Sequence, residues 1–374
     1  MISQLVATQL FNNQAIHYVK QLLNILKYAL LLAVSGLLMW YAVRGQDLSR
    51  IVQTVQEANY WWLLLTMVLS VLGYMSRAYR WKMQLDPTVK GSKPAYWNVY
   101  NAMMVGYLAN MVLPGRVGEV VRCTLLQRTS KVPVQVSLGT VITERVIDVV
   151  VLLGLLGTVL LLDFKTFWGF ANEYLLQGKA DALARNQNAL LGAAAVGVAA
   201  LLISVYLLWR NLERLRQNAV FNKMLGFVKG LLAGVFSIVR LENKAAFLLH
   251  TGFTWAVYYL MDYLAFFAFP ETYSLDMRAA LAVLTFGAFG MAAPVQGGIG
   301  TFHLLVQSTL LVYGVSKEGG IAYALVVHGA QTLLVVLMGG ISFIVSMMKS
   351  GRLGRRGSVL APVPANVPAD VDER

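Results

Sequence analysis

Charge is what these 374 residues have least of: Asp, Glu, Lys and Arg together make up 13% of the chain, against about 25% in an ordinary soluble domain. So little charge, beside 57% hydrophobic residues and a mean hydropathy of +0.61, leaves too little polar surface to face water. A soluble two-domain enzyme, the class that length alone suggests, is excluded, and the chain reads as an integral membrane protein. Cysteine is nearly absent. Cys123 stands alone, which excludes an internal disulfide and any cysteine-cluster metal site. No HExxH, Walker, Ser/His/Asp or metal-spaced pattern is present, no polar stretch is long enough for a soluble catalytic domain, and no cofactor is expected. No small-residue cleavage site follows the first apolar run, so that run is expected to remain as a span. Acids are the scarcer sign, 18 against 31 Lys and Arg, for a net charge of +13. In a soluble protein that excess would suggest nucleic acid. Here the basic residues flank apolar segments, so membrane topology accounts for them and no nucleic-acid partner is expected.

The long apolar runs predict an all-α polytopic fold with about six full spans: Ile25–Val43, Tyr60–Ser76, Arg145–Leu162, Ala189–Trp209, Ala245–Phe269 and Gly320–Met348. Residues 1–24 read as a cytoplasmic segment, 25–348 as one transmembrane domain, and 349–374 as a basic, then disordered, cytoplasmic tail. Residues 77–95, with five basic residues against Asp86, read as a cytoplasmic loop, and residues 44–59, with no net charge, as an external one.

Two segments fit this scheme badly as simple spans. Residues 97–130 break at Pro114-Gly115, and a true crossing at 97–113 would strand Arg116, Arg122, Arg128 and Lys131 outside. Residues 277–315 hold two apolar arms, Met277–Ala293 and Phe302–Val315, around Pro294-Val295-Gln296-Gly297-Gly298-Ile299-Gly300. Both read as re-entrant hairpins of opposite orientation, an arrangement that would make an inverted repeat with a site at the membrane midplane. One extra crossing in each half would satisfy the same ends. Phe221–Val239 reads as an interfacial helix or a further shallow hairpin.

Charge inside apolar segments marks the candidate sites, because an ionised side chain at mid-membrane costs about 2.5–3.5 kcal/mol and normally faces a partner or a wet cavity. After Pro114-Gly115, Arg116, Glu119 and Arg122 recur every three residues, so Glu119 can pair with either arginine. A guanidinium fork suits a phosphate or carboxylate, which makes this an anionic-headgroup candidate. The plainer alternative is a helix start whose arginines snorkel to lipid phosphates. Glu144, Arg145 and Asp148 cluster on adjoining faces of the next helix, as a gate, a proton-linked pair or a static Arg145–Asp148 lock. In the second break, Gly297, Gly298 and Gly300 permit close approach, and amides at the following helix start could receive an anion beside Gln296, Thr301 and His303. A tight packing corner explains them equally. Asp262, among Tyr258, Tyr259 and Tyr263, is a further intramembrane acid. His328 and Gln331 lie in the last span and His250 begins the fifth, and each histidine reads as a helix-packing residue, with a proton carrier as the alternative.

Three of these motifs, Asn110–Arg122 with its core Pro-Gly-Arg-Val-Gly-Glu-Val-Val-Arg, Glu144-Arg145-Val-Ile-Asp148, and Pro294 followed by Gly-Gly-Ile-Gly, resemble the transmembrane region of lysylphosphatidylglycerol synthases, which also occurs as stand-alone flippase-like proteins. The resemblance covers roughly residues 20–348. It implies a domain that moves a lipid or lipid-linked headgroup between leaflets, with Arg116, Glu119, Arg122, Glu144, Arg145, Asp148 and the Gly297–Gly300 turn as its motif positions. Taken with the residues themselves, this places Arg116, Glu119, Arg122, Gln296, Gly297, Gly298 and Gly300 at the headgroup and Glu144, Arg145, Asp148, Asp262 and His303 in gating or proton coupling. It also implies membrane lipids as partners and a bacterial inner membrane with both termini cytoplasmic. A homo-dimer is common among such proteins, although no interface can be read. Only residues 350–374 follow the last span, so the aminoacyltransferase activity of the full synthases is not expected. His303 stands where related proteins often carry an acid. An intramembrane lipid-modifying transferase, and a non-transporting subunit or channel, remain the alternatives.

Overall fold

The computed structural model describes residues 28–171 and 241–357, except for 31, 90, 114–116 and 294. Every regular element among them is helical. α1 (Tyr28–Val43) and α2 (Leu48–Gln56) meet at 90°. They are followed by α3 (Tyr60–Leu85), α4 (Tyr96–Val112), α5 (Gly118–Ser130), α6 (Val134–Ala171), α7 (Lys244–Phe266), α8 (Met277–Ala292), α9 (Thr301–Val312) and α10 (Lys317–Gly357). Side-chain caps set several starts. Asp47 accepts from the amides of Ser49 and Arg50, Asn59 from Trp61, Asn243 from Ala246, and Asp276 from Arg278 and Ala279.

Three helices are long and apolar enough to cross a membrane, at Tyr60–Thr88, Val134–Gly169 and Lys317–Lys349, and a fourth candidate arises if bent α1–α2 counts as one. The expected spans 60–76, 145–162 and 320–348 fall within the first three. The expected span 245–269 forms α7, but His250, Trp255, Asp262 and five tyrosines or threonines lower its hydropathy, and it is not among those candidates. The expected span 189–209, the segment 221–239 and residues 1–24 lie outside the described residues. Two expected loops need correction. Residues 77–85 continue α3, because no helix breaker occurs before Asp86-Pro87. The expected external loop 44–59 contains α2. At the other end, α10 runs on to Gly357, beyond the expected tail boundary.

Both predicted breaks exist as helix–turn–helix hairpins, α4–α5 and α8–α9, each with its arms packed on one another. Each is surrounded by its own core. Trp81, Leu85, Met103, Met104, Leu126 and Leu334 pack around α4–α5, and Leu63, Phe266, Phe269, Val283, Leu310, Tyr323 and Val327 around α8–α9. α3 and α10 both run from the second core into the first, so the hairpins sit at opposite ends of two shared helices.

The arms of the first hairpin cross at glycine. A Cβ on Gly118 would lie 2.0 Å from the carbonyl oxygen of Gly106, and the Gly118 amide donates to Asn110 Oδ1 at 2.7 Å. Close backbone approach of this kind replaces the missing hydrophobic drive between helices in lipid. Gly118→Ala is therefore expected to force the arms apart and remove the monodisperse peak in detergent size-exclusion chromatography. Gly252→Ala, with no described atom within 4 Å, should leave that peak unchanged or raise stability by up to about 1 kcal/mol. Equal behaviour of the two variants would refute the crossing.

Candidate functional site

The two hairpin breaks touch. Gln296 Nε2 donates to the carbonyls of Met111 at 2.8 Å and Val112 at 3.2 Å, the last turn of α4. Gly297, at φ 57°, lies so near Met111 that a Cβ would come within 2.8 Å of its sulfur. Beside this junction is a cavity of about 320 Å³. Its lining comes from both hairpins and from the helices between them: Tyr107, Asn110, Met111 and Glu119 from the first hairpin, Met291, Gly297, Gly298 and Phe302 from the second. Arg77 and Tyr74 from α3, Arg145 from α6, Tyr258 and Asp262 from α7, and His328 and Gln331 from α10 complete it.

One wall of the cavity is an ionic cluster. Glu144, almost wholly buried, accepts from Arg77 Nε at 2.9 Å and Arg122 Nη2 at 3.1 Å, with Arg80 Nη2 at 3.5 Å. Asp148 binds Arg77 Nη2 at 2.7 Å and Arg80 Nη2 at 2.8 Å. Arg145 lies 3.4 Å from Glu119 and 3.7 Å from Asp148. Four guanidiniums thus face three carboxylates, a net of +1. Arg122 also lies over the Trp81 ring at 4.6 Å, and Trp81 Nε1 donates to Thr140 Oγ1 at 2.9 Å. That stack lets a guanidinium be buried among apolar side chains.

The sequence expectations are redistributed by this geometry. Glu119 pairs with Arg145 on another helix rather than with Arg122 on its own. Arg122, expected at an open headgroup site, is buried against Glu144, and Arg116 lies outside the described residues. The Arg145–Asp148 contact exists, but it is the longest of the set, and the short bonds of Asp148 go to α3. Gly300 is held against α1, where a Cβ would lie 2.5 Å from that of Leu38. Its amide donates to His303 Nδ1 at 3.3 Å, so it is not free for an anion. Gly297 and Gly298, but not Gly300, line the cavity. His303 is buried, stacked on His328 with ring centroids 4.9 Å apart. Its ring nitrogen takes the place that a Glu or Gln holds in a capping box, which explains how a histidine can stand there.

Arg77 and Arg80 carry half the positive charge of the cluster and were read from the sequence as loop residues. Their spacing of three, with no breaker until Pro87, was the available signal that they extend the apolar helix. Tyr74 and Tyr107 gave none. Among the described residues no group of three or more His, Cys, Asp or Glu is placed to hold a metal ion.

The model of the lysylphosphatidylglycerol synthase transmembrane region matches residues 28–339. The chain belongs to that family. The match takes in both hairpins, the ionic cluster and the cavity. The chain is also similar to a UPF0104 membrane protein of Methanocaldococcus jannaschii, 24% identical over 157 residues, which is 41% of this chain and 46% of that one. The aligned region thus spans less than half the length of that relative. No solved structure matches.

Proposed function

We propose that this family member is a lipid translocase: a headgroup crosses between leaflets through the cavity between the hairpins while its acyl tails stay in lipid. The reading is supported above all by one observation, a cavity with charged and phenolic walls at the point where two helix breaks from opposite ends of the molecule meet. A protein-lined polar path removes most of the cost of taking a charged headgroup through hydrocarbon. In this reading α4–α5 and α8–α9 re-enter from opposite faces of the membrane, and the basic segments put both termini on the cytoplasmic side of a bacterial inner membrane. Arg145 receives the phosphate. Its side chain is 38% exposed and neither of its ion pairs is shorter than 3.4 Å, whereas Arg80 and Arg122 are sealed. The chain acts as a transporter without catalysis, and membrane lipids are its partners.

The test is leaflet exchange of labelled lipids in proteoliposomes. Arg145→Ala is expected to lower the rate by about tenfold, a loss of about 1.4 kcal/mol, with the protein still monodisperse. An unchanged rate would remove Arg145 from the path. Exchange no faster than in protein-free vesicles would remove translocation.

A further inference from the structure

The charge of the cavity is not evenly spread. At the α3–α6 wall the four arginines and three carboxylates leave +1. On α7 stands Asp262, whose carboxyl has no hydrogen bond or ion pair among the described residues. The nearby phenol of Tyr323 donates to the Asp262 backbone carbonyl instead, at 3.2 Å. The other charged or titratable groups lining the cavity are Arg77, Glu119 and Arg145 at the cluster, Tyr74, Tyr107 and Tyr258, and His328 on α10. None of these places a fixed cation on Asp262. An ionised carboxylate left alone away from water is costly, so the cavity lining is a dipole with no protein cation at its negative end among the described residues.

The separation of the two ends can be read from the helices. Met261, next to Asp262, has its sulfur 3.4 Å from Ser70 Oγ, and Arg77 lies seven residues further along α3, about 10 Å. On α7, Tyr258 accepts from Arg77 Nη1 at 3.1 Å and precedes Asp262 by four residues, about 6 Å. A ligand joining the ends therefore carries a negative and a positive group separated by a short spacer. Two charge-assisted hydrogen bonds of about 2.8 Å and a two-carbon link cover such an interval. The volume, about 320 Å³, is at the small end for ligand pockets, which favours a compact headgroup.

We infer that the cavity is a subsite for a zwitterion of one phosphate and one primary amine, a phosphoethanolamine-type headgroup, with the phosphate toward Arg77 and Arg145 and the ammonium on Asp262. This deepens the translocase reading and, as far as lipid movement is concerned, rests on it. A purely anionic headgroup satisfies the arginine end and leaves Asp262 alone. A headgroup with two amines leaves one of them without a carboxylate, since Glu119 is engaged by Arg145. A quaternary amine supplies charge but no N–H to donate.

Two measurements test the inference. In proteoliposomes carrying lipids labelled on the acyl chain, so that the amine stays free, phosphatidylethanolamine should exchange about tenfold faster than phosphatidylglycerol, with phosphatidylcholine between them. Asp262→Asn should bring the first two to similar rates. Equal rates in the wild type, or a preference that survives Asp262→Asn, would overturn the inference and leave translocation standing. Independently of movement, glycerophosphoethanolamine should raise the melting temperature of the wild-type protein in detergent, and glycerophosphoglycerol should not. This arm needs no variant to fold, and it separates a soluble zwitterion from a lipid as the source of the headgroup. Stabilisation without exchange of any lipid would support the subsite and sink the translocase. Equal stabilisation by both compounds, or by sodium chloride alone, would overturn the subsite.

Discussion

Glu144→Gln is expected to be the most damaging single substitution in this protein. Glu144 is bonded by Arg77 and Arg122 and approached by Arg80, all of them largely buried. Removing one partner of a buried ion pair costs about 3–5 kcal/mol, because the remaining charge keeps its desolvation penalty; here three guanidiniums share that penalty. The expected readout is a melting temperature in detergent lowered by several degrees, or no monodisperse protein at all. Glu119→Gln provides the contrast. Its partner Arg145 is 3.4 Å away and more than a third exposed, so the change should stay within about 1 kcal/mol. A double variant, Glu144→Gln with Arg122→Gln, should recover part of the loss, since it removes one of the orphaned charges. If Glu144→Gln melts with the wild type, the cluster is not what holds α3, α5 and α6 together.

The second large effect concerns the hairpin junction. If headgroups pass where the breaks meet, the contact of Gln296 with Met111 and Val112 must open in each cycle. Cysteines placed at Val112 and Gln296 in a Cys123→Ala background, and joined by a short bifunctional thiol reagent that a reductant can cleave, should slow leaflet exchange by about tenfold or more. Reduction should restore the rate. Exchange that continues unchanged with cross-linking complete would show that the junction is a fixed corner and that the path lies elsewhere. Cys123 is the one native cysteine, so in this background labelling should report the introduced pair alone.

Much of the helical plan could be read from order along the chain. Pro114-Gly115 ends α4, and the glycines at 297, 298 and 300 adopt the positive φ that other residues resist. Both signals act within a few residues of themselves, and a pair of helices packed on one another flanks each expected break. The stop of α3 was misplaced because the basic residues from Arg77 onward were taken to mark a loop. Positive charge marks loops only statistically, whereas a helix ends where its backbone is obstructed, here at Pro87.

Composition and short-range signals therefore determined that this is a helical membrane protein of two broken hairpins, and they singled out Glu119, Glu144, Arg145, Asp148 and Asp262 as charges in apolar surroundings. Only the tertiary structure decided which charges meet. Arg77 reaches Glu144 and Asp148 across 67 and 71 residues, Glu119 meets Arg145 of α6, and Asp262 faces a cavity lined by eight helices. Coulomb attraction depends on distance in space and on the local dielectric, and neither exists until α3, α5, α6 and α7 have packed.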